Sequence, residues 1–168
     1  MGNRAGFLTG KTYMSFESAY SYLKERGFSD RVITFEVSTA TVALAAEALH
    51  TDECRIAKTL GFLLSDGPIL VVMAGDARAD NRKYRNTFHE KAHMLSHEDA
   101  VEKIGHAPGG VCPFGVKEGV RIFLDVTLKK YDTVFPAVGS SNSAVRLTPD
   151  ELESLLPDAR WVDIAKDQ

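Results

Sequence analysis

Residues 53–75 read ECRIAKTLGFLLSDGPILVVMAG. Two apolar runs, TLGFLLS (59–65) and ILVVMAG (69–75), flank Asp66, Gly67 and Pro68. Turn residues between such runs predict a hairpin of two mostly buried strands. Just upstream, Asp52 offers an N-cap, and a short helix is expected to carry Arg55 and Lys58. Lys58 stands between apolar segments, and a lysine is almost never fully buried without a partner. Two readings stay open. Lys58 is a surface residue at a helix end, where the dipole favours a cation, or it faces a cleft that receives a phosphate or a developing anion.

Outward from the hairpin, short helices and short strands follow one another. Phe16, Ala19, Tyr20 and Leu23 recur at helical spacing after Ser15, and Gly27 is a stop. VITFEV (32–37) predicts a strand, and STAT (38–41) supplies N-caps for a helix over VALAAEALH (42–50). Beyond Gly75 a helix is expected to start near Ala79, followed by a short strand over AHML (92–95). Ser96 with Asp99 opens a helix over HEDAVEKIG (97–105). VRIFLDV (120–126), TVFPAV (133–138), AVRL (144–147) and WVDI (161–164) predict further strands. Thr148, Pro149 and Glu151 give a final helix its N-cap, first-turn proline and N3 acid. The expected class is α+β: a single domain with a mixed, mostly antiparallel, barrel-like sheet of about seven strands surrounded by helices. Irregular alternation argues against a doubly wound parallel sheet.

The 168 residues carry a formal net charge of −3, with 44% hydrophobic and 26% charged residues. That balance excludes a general basic nucleic-acid binder but leaves room for a local basic patch. Residues 78–91 hold Arg78, Arg82, Lys83, Arg85 and Lys91 against Asp80 and Glu90. This segment either contacts phosphates or is a solvated helix face. Cys54 and Cys112 are far apart and form neither a disulfide framework nor a zinc spacing, so a reducing cytosol is the default. No stretch approaches the length of a membrane span. The start, MGNRAGFLTGKTYM, has no apolar signal core, and Gly6 stands where a myristoylation pattern wants Ser or Thr. Residues 1–13 read as a polar extension and 14–168 as the folded unit.

Besides Lys58, two loops stand out. Gly109-Gly110-Val111-Cys112-Pro113-Phe114-Gly115 combines conformational freedom with a stiffening proline. Its backbone N–H groups either bind a carbonyl or carboxylate oxygen or merely turn the chain. No phosphate-binding P-loop is present. Gly139-Ser140-Ser141-Asn142-Ser143 is a row of small hydrogen-bonding groups, or an ordinary polar turn. Cys112 with His106 as base and Asp125 as orienter would make a thiol hydrolase. His89, His93 and His97 would gather for a metal only on one continuous helix, which the expected strand at 92–95 interrupts.

The order STAT-x-x-x-A-A, R-I-A-K-T-L, V-x-x-x-G-D, G-G-V-C-P-F-G and a small-residue loop resembles the YbaK/ProX family. These are aminoacyl-tRNA deacylases related to the editing domain of bacterial prolyl-tRNA synthetases, and the similarity spans residues 15–165. The resemblance implies a freestanding editing hydrolase that acts without metal or cofactor. Its substrate would be the acceptor end of a tRNA mischarged with Ala, Ser, Thr or Cys, on tRNA-Pro or a related tRNA, with a synthetase as a further partner. Lys58 matches the lysine that holds the 3′-terminal nucleotide. Gly109 and Gly110 open the G-x-x-x-P loop at the scissile ester, and Val111, Cys112, Pro113 and Phe114 continue the amino-acid pocket. Thr39, Thr59, Asp76 and the loop Gly139, Ser140, Ser141, Asn142 fall on the family's cleft walls. Arg78, Arg82, Lys83 and Arg85 are the expected tRNA-phosphate contacts. A catalytically silent module of the same fold, holding tRNA ends or a synthetase, is the alternative.

Overall fold

The computed structural model describes residues 15–167; the expected extension, 1–13, lies outside them. The hairpin forms as the sequence predicts. Strand β2 (Ile56–Leu64) pairs antiparallel with β3 (Gly67–Ala74) through eight residue pairs, from Leu64↔Gly67 to Ala57↔Ala74. Every residue of β3 from Ile69 to Ala74 is buried. An unbroken apolar run suits a central strand covered on both faces.

Around this hairpin lies a five-stranded sheet in the order β5-β2-β3-β4-β7, with β4 at Arg121–Asp125, β5 at Phe135–Pro136 and β7 at Arg160–Val162. A second, two-stranded sheet pairs β1 (Val32–Thr34) with β6 (Ser143–Val145). The architecture is the expected single α+β domain with a curled, half-barrel sheet. Its antiparallel ladders hold eight and three residue pairs, and its parallel ladders hold two, four and three.

Helices cover both faces. Helix α1 (15–25) and helix α5 (Pro149–Leu155) pack Ala19, Leu23, Leu152 and Leu155 onto Val72 and Leu124. Helix α3 (Asn81–Phe88) sets Tyr84 and Phe88 against Phe62, Met73 and Phe123 on the opposite face. Helix α2 (Val42–Leu49) closes one end through Ala45, Ala46 and Ile56, and α4 (His97–Asp99) continues as a π-helical turn to Ile104. Among the described residues no helix is long and apolar enough to cross a membrane.

Three local expectations change. The helix at Asp52 is only a 3-10 turn, Glu53–Arg55, and Lys58 lies within β2. Pairing of Ile56 and Ala57 with Phe135 and Pro136 starts the strand early. The strand at 92–95 is a single bridge, Met94 to Phe62, and the strand at 32–37 stops at Thr34.

Caps were legible in the sequence. Thr41 accepts from the Leu44 amide, Ser96 from Asp99, and Thr148 with Glu151 closes a full capping box. Replacing Thr148 by Ala is expected to lower unfolding free energy by about 1 kcal/mol. The urea midpoint reads this directly, and an unchanged midpoint would show that α5 is held by packing alone.

Candidate active site

Strand β5 covers the outer edge of β2 only at Ile56 and Ala57. The chain returns to that edge further along, where Leu95 N donates to Gly61 O at 2.9 Å and Leu63 N donates to His93 O at 2.8 Å. Between these two seals the edge opens into a cleft of about 250 Å³. That is smaller than the roughly 300 Å³ at which pockets for drug-sized ligands begin. Its floor is apolar, with Ile56, Leu70, Leu95 and Ile104. Its walls are the segment before α2, the 94–97 strap, the ledge Pro108–Gly109 with Val111, and Ser143–Ala144.

Backbone groups alternate in direction along an antiparallel strand. Gly61 and Leu63 bond outward, so Thr59 also directs its N–H and C=O outward, at the open stretch. Side chains alternate too. Thr59 shares a face with Ala57 and Gly61, whereas Lys58 shares one with Leu60 and Phe62. The cleft runs along the edge and is therefore lined by both.

Thr39 and Thr59 both line this cleft, and their hydroxyls are buried with no hydrogen-bond partner among the described residues. A buried polar group left unpaired costs about 1–3 kcal/mol. Two in one cleft mark it as a place built to receive polar atoms. The Lys58 ammonium is half-buried and donates to Gly75 O at 3.2 Å and to Ala77 O. Burial lowers its pKa, while the Asp76 carboxylate raises it and Arg78 lowers it further. An ammonium has three protons, so one remains beyond these two carbonyls.

The glycine loop is wedged behind and beside the cleft. Gly109 has φ 81°, and a Cβ there would meet Ala40 Cβ at 3.0 Å and Ser141 Cβ at 3.3 Å. A Cβ on Gly110 would strike the backbone of Ser140 and Gly139, and the Gly110 N–H is already donated to Ala107 O at 3.0 Å. Gly110 is thus packed tightly against the neighbouring loop and does not line the cleft. Cys112, Pro113 and Phe114 are buried behind the cleft and do not line it.

Gly139, Ser140, Ser141 and Asn142 also stand behind the wall. Thr39 N donates to Ser141 O at 2.6 Å, and Phe35 N to Asn142 O at 2.8 Å. The Asn142 amide returns a bond to Phe35 O at 3.1 Å. The Ser140 hydroxyl bonds Asn142 Oδ1 at 2.9 Å and Ser143 Oγ at 2.6 Å. Ser143, not Ser140 to Asn142, reaches the cleft. Asp76 is exposed and does not line it; its carboxylate raises the Lys58 pKa.

The Cys112 and His106 pair does exist in space, with Sγ 3.5 Å from Nε2. Both are fully buried. Burial pushes the thiol up to about 12 and lowers the imidazole pKa, so the thiolate does not form near neutral pH. Asp125 does not orient His106; its carboxylate accepts from the Thr127 and Ile164 amides. This environment does not support a thiol hydrolase.

In the basic segment, Arg78, Arg82 and Arg85 are exposed. Lys83 is instead paired with Asp163 at 3.2 Å and Asp167 at 2.8 Å, tying α3 to the chain's end. His89 ends α3 with φ 62°, so the three spaced histidines share no helix.

The aminoacyl-tRNA editing domain profile matches residues 36–155. The chain belongs to that family. It is 46% identical over 155 residues to the uncharacterized protein YwhH of Bacillus subtilis, covering 92% of this chain and 99% of that one. It is 29% identical over 106 residues to the proline–tRNA ligase of the same organism, covering 62% of this chain but 18% of the ligase. A solved structure of a candidate trans-editing enzyme for prolyl tRNA synthetase superposes with a TM-score of 0.82 at 30% identity, covering 91% of this chain and 98% of that one.

Sequence reasoning about this editing domain missed the strap and part of the floor: Leu95, His97 and Ile104. Only the outward alternation at Gly61 and Leu63 reveals the strap, and that is a pairing no local pattern announces. Under native conditions iodoacetamide is expected to modify the half-buried Cys54 well before Cys112, which reacts only on unfolding. Rapid native modification of Cys112 would contradict the burial described here.

Proposed function

We propose that the protein is a trans-editing hydrolase. It removes a small amino acid, Ala, Ser, Thr or Cys, from a mischarged tRNA, with tRNA-Pro the first to test. The editing unit on this reading is residues 14–168. The observation that carries the reading is the pair of threonines lining one cleft beside Lys58, Thr39 and Thr59, whose buried hydroxyls have no hydrogen-bond partner among the described residues. Membership of the editing family supports a tRNA-editing role.

Water adds to the ester carbonyl carbon, the bond to the ribose oxygen breaks, and a free amino acid and a terminal hydroxyl leave. The ester is intrinsically labile, so positioning and a few aimed donors suffice. The Lys58 proton left over from Gly75 and Ala77 holds a ribose or phosphate oxygen of the 3′-terminal nucleotide. The outward Thr59 N–H and the Gly109–Val111 ledge lie along the path of the developing oxyanion. The threonine hydroxyls receive the amino acid's polar atoms, and its amine or the ribose hydroxyl helps move protons. The closed apolar floor refuses larger side chains sterically, which is the stronger form of discrimination for hydrocarbon groups. Arg78, Arg82 and Arg85 offer phosphate contacts outside the cleft, while Lys83 must first leave Asp163 and Asp167.

Purified protein is expected to deacylate at least one member of a panel of tRNAs charged with Ala, Ser, Thr and Cys. Binding without turnover across the panel would instead assign a silent tRNA-end module. Lys58→Ala should lower the rate by at least about tenfold, the worth of one charge-assisted hydrogen bond. Thr59→Val has a more specific signature. It removes a buried unpaired hydroxyl at constant shape, so the variant should be at least as stable as wild type while losing activity. Loss of both stability and activity would show that the hydroxyl serves the fold. Reversing Arg82 and Arg85 to Glu should flatten the salt dependence of tRNA binding, and an unchanged slope would remove this face from the interface.

A further inference from the structure

We propose that His106 is a positioning residue that fixes the Gly109–Val111 ledge against the cleft; the assignment rests on the editing reading above. The His106 ring is fully buried, and the residue precedes the glycine loop in the chain. Its Nε2 lies 2.7 Å from Phe114 O, the carbonyl just beyond the loop. A carbonyl only accepts, so Nε2 carries the proton and donates. The neutral ring's Nδ1 must then accept, and the Ser15 hydroxyl donates to it at 2.8 Å. Burial lowers the imidazole pKa and so favours this neutral, single-tautomer ring. One side chain thereby closes the base of the loop from 107 to 113. The Cys112 thiol sits inside the closure, 3.7 Å from the same Phe114 carbonyl.

The other end of the staple is Ser15, the first described residue of α1. Its hydroxyl also accepts from Ala107 N at 3.2 Å, and its carbonyl sits where a Cβ on Gly139 would strike. Gly139 in turn leads into Ser140, against which Gly110 is wedged. Ser15 and His106 thus hold both loops that back the cleft, although neither lines it. Buried polar networks with every member satisfied rigidify what they connect. A ledge that presents backbone groups to an ester needs that rigidity, because a displacement of about 1 Å at a distance from the chemistry can cost up to ~10²-fold in rate.

The test compares H106N with H106Q. The amide nitrogen of Gln can take the place of Nε2 and keep the bond to Phe114 O; that of Asn stands nearer Nδ1 and cannot. H106N is expected to lower kcat on the mischarged tRNA that the wild type deacylates by at least about tenfold, with KM changed much less, and H106Q to recover most of the loss. Equal kcat in H106N and wild type, or equal losses in both variants, overturns the proposal. Amide hydrogen exchange at residues 109–111 reads the staple with no turnover at all. It should accelerate in H106N and not in H106Q, while β3 keeps its protection. Unchanged exchange at the ledge in H106N overturns the proposal even if the wild type deacylates nothing, an outcome that would count against the hydrolase reading alone. Should H106N fail to fold, S15A removes the partner on Nδ1 and is read by the same two measurements.

Discussion

A β-strand must satisfy its backbone groups along both edges, and β2 does so along only one. Its inner edge is paired without a break to β3. Its outer edge is sealed at Ile56 and Ala57 by β5 and at Gly61 and Leu63 by the 93–95 strap, with an open stretch between. The cleft follows from that gap. Its depth comes from the buried floor, and its polarity comes from what an open strand edge exposes, the Thr59 backbone, together with the two threonine hydroxyls. Leaving such groups unpaired costs stability unless something else occupies the edge. On the proposed function, that occupant is the aminoacyl end of a tRNA.

The second constraint is close approach between loops. Gly109, Gly110 and Gly139 each sit where a side chain would collide with a neighbouring segment: Ala40 and Ser141, the backbone of Ser140, and the Ser15 carbonyl. Glycine here serves contact between loops as much as backbone freedom. The serine-rich turn, read in isolation as a set of ligand groups, spends its hydrogen bonds on the 35–39 segment and on itself. What reaches the cleft from this side is Ser143.

Elements with strong local signals were legible in the sequence. The 59–75 hairpin, α1 with its Gly27 stop, α2 behind Thr41 and α5 with its capping box all carry their own punctuation. What failed depends on distant pairing. Asp52 resembles an N-cap, yet Phe135 and Pro136 draw Ile56 into a strand and take Lys58 with it. AHML has strand composition but makes a single bridge. At the site, the family resemblance pointed to Lys58, Thr39, Thr59, Gly109 and Val111, all of which line one cleft. Identity did not distinguish these from Cys112 or Ser140, whose chemistry looks functional and whose environment is core. Position on the cleft, not composition or burial, separates the two groups, and that position is fixed only once the loops are folded together.

The most direct measurement is an NMR titration of the labelled protein with a non-hydrolysable 3′-aminoacylamino analogue of alanyl-adenosine. The account predicts saturable shifts at the amides of Thr59, Gly109 and Val111 and at the Thr39 methyl, with α3 of the opposite face silent. Shifts confined to other surfaces, with Thr59 unmoved at saturation, would contradict the placement of the substrate along the open edge of β2.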